Sequence, residues 1–191
     1  VSVQDRAACT IVEVALTEEV AESLHENLRR RGLTSYAHWR EAYVEADGLT
    51  MEFTYMLTRG RRLRDVLRDQ VLSRVRAQQE TELQILALIA TAGRWAISVP
   101  ISELSEFENG SGSLRSALTR LNEEHLVQVM SESVQGLHPV RSRFLSEVLH
   151  ELPPPTASMT TVKLVSMLPA PALPALLAGI SQDLPGALPA A

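Results

Sequence analysis

Apolar positions along the 191-residue chain recur mostly at helical spacing, with short strand-like stretches between them. Residues 10–16 (TIVEVAL) are rich in β-branched side chains and partly alternating, which predicts one strand. A lone strand has no sheet to join, so residues 1–16 read as the terminal strand of a domain lying upstream. From Thr17, a credible N-cap, Val20, Leu24 and Leu28 predict a helix to about Arg31. Glu18, Glu19 and Glu22 stand at its positive end, Arg29, Arg30 and Arg31 at its negative end, and Gly32 stops it. Further helices are predicted over 36–45, ending near Asp47-Gly48, over 50–58, ending at Gly60, and over 63–79. In the last, Leu63, Val66, Leu67, Val71 and Val75 share one face. Residues 17–79 therefore read as a small helical bundle.

Beyond residue 80 the pattern changes. Thr81 can cap a helix through Leu83, Leu86, Ile89 and Ala90 that ends at Gly93, and residues 95–99 read as a short strand. A short helix to about Phe107, a loop over 108–112 and a helix over 113–125 follow. Residues 126–131 are expected as a strand, 132–136 as a turn and 137–138 as the returning strand. Pro139, favoured at the first helical position, opens a helix through Val140, Phe144, Val148 and Leu149. Helix, strand, helix, helix and hairpin is the order of a winged helix-turn-helix, here over 80–151 with a helix appended. Residues 152–191 hold eight of the ten prolines and read as a Pro-rich linker with the start of a C-terminal helical region. Residues 160–168 suit a helix, whereas the tail from Pro169 is expected to be poorly anchored.

Composition narrows the chemistry. Hydrophobic residues at 45% and charged residues at 21% exclude a wholly disordered chain. The longest uncharged stretch, 164–182, is interrupted by Pro169, Pro171 and Pro174, so no membrane span is expected. Cys9 is the single cysteine, which rules out an internal disulfide and suits a reducing, cytoplasmic setting. The chain begins at Val1 rather than methionine, without the layout of a signal peptide, and reads as a piece of something longer.

The net charge of −5 argues against nucleic acid as the main partner, although 59–76 carries seven arginines and two aspartates. That arginine face reads as solvated or interdomain, with a nucleic-acid or anionic surface as the alternative. No GxxxxGK[ST] loop is present, the five histidines lack metal-ligand spacing, and Gly110-Ser111-Gly112 lacks the strand-to-helix elbow of a serine nucleophile. No catalytic residue, metal ligand or enzymatic activity is therefore expected of the chain alone.

Two places remain for a site. The helix over 113–125 would present Arg115, Ser116, Thr119 and Arg120, a set able to contact phosphate or a guanine edge. Against this, Glu123 and Glu124 follow at once, and the wing over 131–136 has no basic residue. His138 lies directly before the helix opened by Pro139. An imidazole there is either structural or aims a donor at an anion docked from another domain.

As an ordered set, three segments resemble the regulatory half of STAND-class P-loop NTPases, the AP-ATPase and NACHT-like signalling ATPases. Residues 47–60 (DGLTMEFTYMLTRG) look like the family's lid helix, with Gly48 and Thr50 as lid contacts. Residues 82–99 look like the opening of its winged helix. Residues 136–142 (GLHPVRS) look like its Met-His-Asp motif, which would give His138 the role of sensing the β-phosphate of bound ADP. Thr50 stands where the lid proline is expected, and Pro139 takes the acidic position.

The resemblance implies a mainly α chain: a helical lid, a winged helix of three helices plus a small β-hairpin, and a C-terminal helical start. It also implies ATP or ADP with Mg held through an absent N-terminal P-loop domain, itself the first partner, and homo-oligomerisation in the active state. The parent would then be an ATP hydrolase in signalling, antiviral defence among the possibilities. A winged-helix transcription regulator and a protein-interaction adaptor are the competing readings.

Overall fold

The computed structural model describes residues 16–109 and 114–183; it is mainly helical with a small three-stranded antiparallel sheet. Two compact units divide between Arg62 and Leu63.

The first unit contains α1 (Glu18–Arg30), α2 (Trp39–Glu45) and α3 (Thr50–Arg59). Thr17 caps α1 as expected, its hydroxyl accepting from the Val20 N–H at 3.3 Å. Gly32, at φ +67°, turns the chain so that the Leu33 N–H reaches the Leu28 carbonyl at 2.9 Å. Ala21, Trp39, Ala42, Phe53, Met56 and Leu57 form the buried core, with Leu24 and Leu28 packed against it. Val20, expected on the apolar stripe, is exposed because the buried line of α1 runs through Ala21 instead. Of the strand expected within residues 1–16, only Leu16 lies inside the described residues, and it is buried in this core.

The second unit begins with α4 (Leu63–Arg76) and α5 (Glu80–Gly93). The expected boundary at 79/80 is thus displaced to 62/63. Leu63, Leu67 and Val71 make α4 a partner of α5 and of α7 (Pro139–His150), so the helix read as the last of the first bundle folds with the second unit. Its buried line continues at Arg74 and leaves the expected Val75 exposed. α5 is buried on all sides from Ile85 to Gly93, consistent with an apolar run that lacks a polar face.

The strand expected over 95–99 is reduced to β1 (Val99–Pro100). Ala96 sits at φ +55°, and the Ile97 N–H returns to the Ala92 carbonyl, so this stretch closes the end of α5. A 3-10 helix (Ile101–Asn109) and α6 (Leu114–Glu123) follow; the expected cap Ser113 and the Gly110-Ser111-Gly112 loop lie outside the described residues. β2 (Val127–Val129) and β3 (Ser133–Gly136) complete a sheet ordered β1-β3-β2.

The returning strand is therefore 133–136 and not 137–138. Its register pairs Val134 with both Val99 and Val129, the arrangement that buries Val134 completely. The turn is short, closed by the Met130 N–H on the Ser133 carbonyl at 2.8 Å. Pro100, which cannot donate to a ladder, occupies an edge strand.

The proline-rich end is more ordered than composition suggested. α8 (Ala157–Met167) is capped by Thr156, and α9 (Leu173–Asp183) buries Leu176 completely. Gly179 of α9 lies against the indole of Trp95, so close that a Cβ there would fall 2.2–2.4 Å from three ring atoms. The expectation of a poorly anchored tail from Pro169 is thus corrected through residue 183.

Candidate functional site

The segment expected to serve as a lid contact lies in the first unit. Asp47 and Gly48 both take positive φ, +47° and +78°, and reverse the chain between α2 and α3. A Cβ on Gly48 would meet nothing within 4 Å, so backbone conformation is what favours glycine there. Thr50 opens α3, its carbonyl accepting from the Thr54 hydroxyl at 2.7 Å, and borders a shallow depression shared with Glu19, Ser23 and Asn27 of α1.

In the second unit, His138 is the N-cap of α7. Its backbone is extended, its carbonyl accepts from the Ser142 N–H at 2.9 Å, and its Nδ1 accepts from the Val140 N–H at 3.2 Å. With Nδ1 engaged as an acceptor, the proton of the neutral ring is assigned to Nε2. The side chain is exposed, so this site offers an N–H donor at the start of a twelve-residue helix.

The flanks of His138 are pinned by close packing. A Cβ on Gly136 would lie 2.0 Å from Ser142 Oγ, and one on Gly93 would lie 2.7 Å from the same atom. β3, α5 and α7 therefore meet where only hydrogen fits, which fixes the segment carrying the histidine.

The face expected to read DNA is only partly available. Arg115, Ser116 and Thr119 are exposed on α6. Arg120 instead directs Nη2 to Glu82 Oε1 of α5 at 2.5 Å. Glu82 is 2% exposed, and its Oε2 lies 3.3 Å from Nε of Arg74, itself 3% exposed. Arg74 also bonds Glu124 at 2.7 Å and the Gln70 carbonyl at 3.0 Å. Two arginines and two glutamates thus join α4, α5 and α6 in a charge-balanced network.

The arginine face of α4 also answers carboxylates within its own unit. Arg64 and Arg68 both bond Glu151, and Arg64 lies 3.5 Å from Glu147. The Arg68 hydrogen bond, seconded by that of Arg64, holds the Glu151 carboxyl below the usual carboxylate range.

The buried network and a polar chain through His150 were missed in the sequence. Glu82 had a legible signal: it stands three, four and seven residues before Ile85, Leu86 and Ile89, on the line that becomes core. His150 had none beyond its residue type. A cleft of about 750 Å³, bordered by Val75, Leu83, Leu149, Leu152, Pro154 and Met159, lies beside α8. Among the described residues, no group of three or more His, Cys, Asp or Glu is arranged to hold a metal ion, and no helix is long and apolar enough to cross a membrane. Comparison of the chain with known protein families, curated proteins and solved structures found no match.

Proposed function

We propose that this chain is the regulatory segment of a STAND-type signalling ATPase, a nucleotide-gated switch in which a winged helix over 80–151 responds to ADP or ATP bound, with Mg, on an upstream P-loop domain. The observation that carries the reading is His138: an exposed Nε2–H donor at the N-terminus of α7, oriented through its own helix cap. The element order supports it, since β1, the 3-10 helix, α6 and the β2–β3 hairpin follow α5 in winged-helix sequence.

A donor beside the positive end of a helix suits a phosphate oxygen. ADP bridging the P-loop domain and His138 would favour the closed arrangement by its differential affinity for that state alone. Exchange for ATP would then weaken the bridge and permit homo-oligomerisation in a cytoplasmic signalling or antiviral pathway.

The test is nucleotide content of the full-length gene product after purification. His138→Ala is expected to lose co-purifying ADP about tenfold or more, the equivalent of about 1.4 kcal/mol of lost contact. Equal ADP in the two proteins, or none in either, would sink the reading.

The competing reading, a DNA-binding transcription regulator, rests on the exposed Arg115, Ser116 and Thr119 of α6. The engagement of Arg120 with Glu82 weakens it. A gel-shift series is expected to show no complex even at low salt; a shift that fades steeply as salt rises would give this reading the lead. An adaptor role would leave both assays silent.

A further inference from the structure

Beside the packing of α8 on α5, contacts of dissimilar kinds among the described residues join α8 and α9 to the rest of the second unit. Lys163 of α8 places Nζ 4.6 Å from the centroid of the Phe107 ring. Gly179 of α9 rests on Trp95. His150, the last residue of α7, meets Thr160 of α8 at 2.9 Å. Of these, only imidazole ordinarily titrates between about pH 5 and 8.

His150 belongs to a chain of hydrogen bonds whose direction can be assigned. The Thr160 hydroxyl donates to the Thr156 carbonyl at 3.2 Å, so its oxygen accepts from His150 Nε2–H. Nδ1 is then the acceptor for the Ser146 hydroxyl at 3.4 Å, and the Ser146 oxygen accepts from Thr91 at 3.0 Å. Thr91, Ser146 and Thr160 are each at most 3% exposed, which leaves these hydroxyls little recourse to water. A second proton on the ring abolishes the acceptor at Nδ1 and reverses what Ser146 must supply.

The surroundings do not welcome the resulting cation. Arg94, just past α5, adds like charge, and α8 contributes Lys163. α4 brings Arg64 and Arg68, which engage Glu147 and Glu151 on α7 itself, while β3 carries no titratable side chain. Burial, opposed in part by the Ser146 backbone and aided by Arg94, holds the His150 pKa below its ordinary value.

We propose that α8 and α9 form a pH-sensitive arm: neutral His150 latches it to α5 and α7, and protonated His150 loosens it while the α5–α7 core stays folded. Because docking disfavours the imidazolium, the latch is at full strength above the ordinary imidazole range. It weakens as pH falls through that range towards the depressed pKa of the docked ring, by at most about tenfold per pH unit for one proton. The loosened arm would bare Leu164, Leu168 and Leu176, all buried when it is docked.

Hydrogen exchange of the full chain tests this, with rates corrected for the intrinsic pH dependence of exchange. Between about pH 7.5 and about pH 5.5, a window spanning the imidazole titration, protection across 157–167 and 173–183 should fall by several-fold, up to about tenfold for one proton, while α5 and α7 keep theirs. His150→Gln should flatten that response. Thr160→Val, which keeps the imidazole but removes its acceptor, should lower arm protection already at the higher pH. Equal wild-type protection at both pH values, an undiminished response in His150→Gln, simultaneous loss across α5, α7 and the arm, or an unaffected arm in Thr160→Val would each overturn the latch.

Discussion

Glu82→Ala is expected to destabilise the second unit by about 3–5 kcal/mol, the range for removing one partner of a buried ion pair. The Glu82 carboxylate lies between the guanidinium groups of Arg74 and Arg120, and the first of these is almost fully buried. Without it, Arg74 keeps, among the described residues, Glu124, whose side chain is 47% exposed, and the Gln70 carbonyl. A cation taken out of water with half its compensation costs more than the pair ever contributed. Urea denaturation followed by circular dichroism measures the loss as a lower midpoint. The double replacement Arg74→Met with Glu82→Leu should recover most of it, because an apolar pair removes both the charge and its desolvation cost. A loss below about 1 kcal/mol in Glu82→Ala would place this pair among the screened surface bridges.

Gly136→Ala is expected to cost about 1–3 kcal/mol through overpacking. The new methyl would lie 2.0 Å from Ser142 Oγ and 3.2 Å from Ser142 Cβ, with the Gly93 Cα 3.6 Å away. Gly136 does not have positive φ, so the conflict is one of space and not of backbone conformation. The double variant Gly136→Ala with Ser142→Ala should therefore be more stable than the single one, since it removes the atom in closest conflict. Thermal melts of the wild type and the three variants form a double-mutant cycle. Additive losses would show that the methyl is accommodated elsewhere. In the proposed switch the same contact sets where His138 stands, so Gly136→Ala should also reduce ADP retention.

The first helix was legible almost to the residue, since Thr17, the leading glutamates, the trailing arginines and Gly32 are all local signals. The sheet was less so. The sequence placed its return strand at 137–138, whereas pairing of Val134 with Val99 across the sheet pulls it back to 133–136. The candidate site divides in the same way. His138 stood out by its place before Pro139, while its tautomer depends on the cap it makes. Arg120 was indistinguishable from Arg115 in the sequence. It differs because a carboxylate thirty-eight residues earlier in the chain, Glu82, lies within its reach.

What the sequence determined by itself are the features governed by neighbours three or four residues away: helix content, local starts and stops such as Thr17 and Gly32, and most of the order of elements. The cap expected at Thr81 is an exception, since it falls inside α5, which starts at Glu80 after Gln79. Tertiary structure decided which unit α4 joins, which arginines stay on the surface and whether the proline-rich end docks. Each of these depends on burial against a distant segment, as α4 on α7, Arg74 beside Glu82 and Gly179 on Trp95 illustrate. An apolar stripe or a lone charge specifies that a partner is needed, and only the folded chain specifies which one.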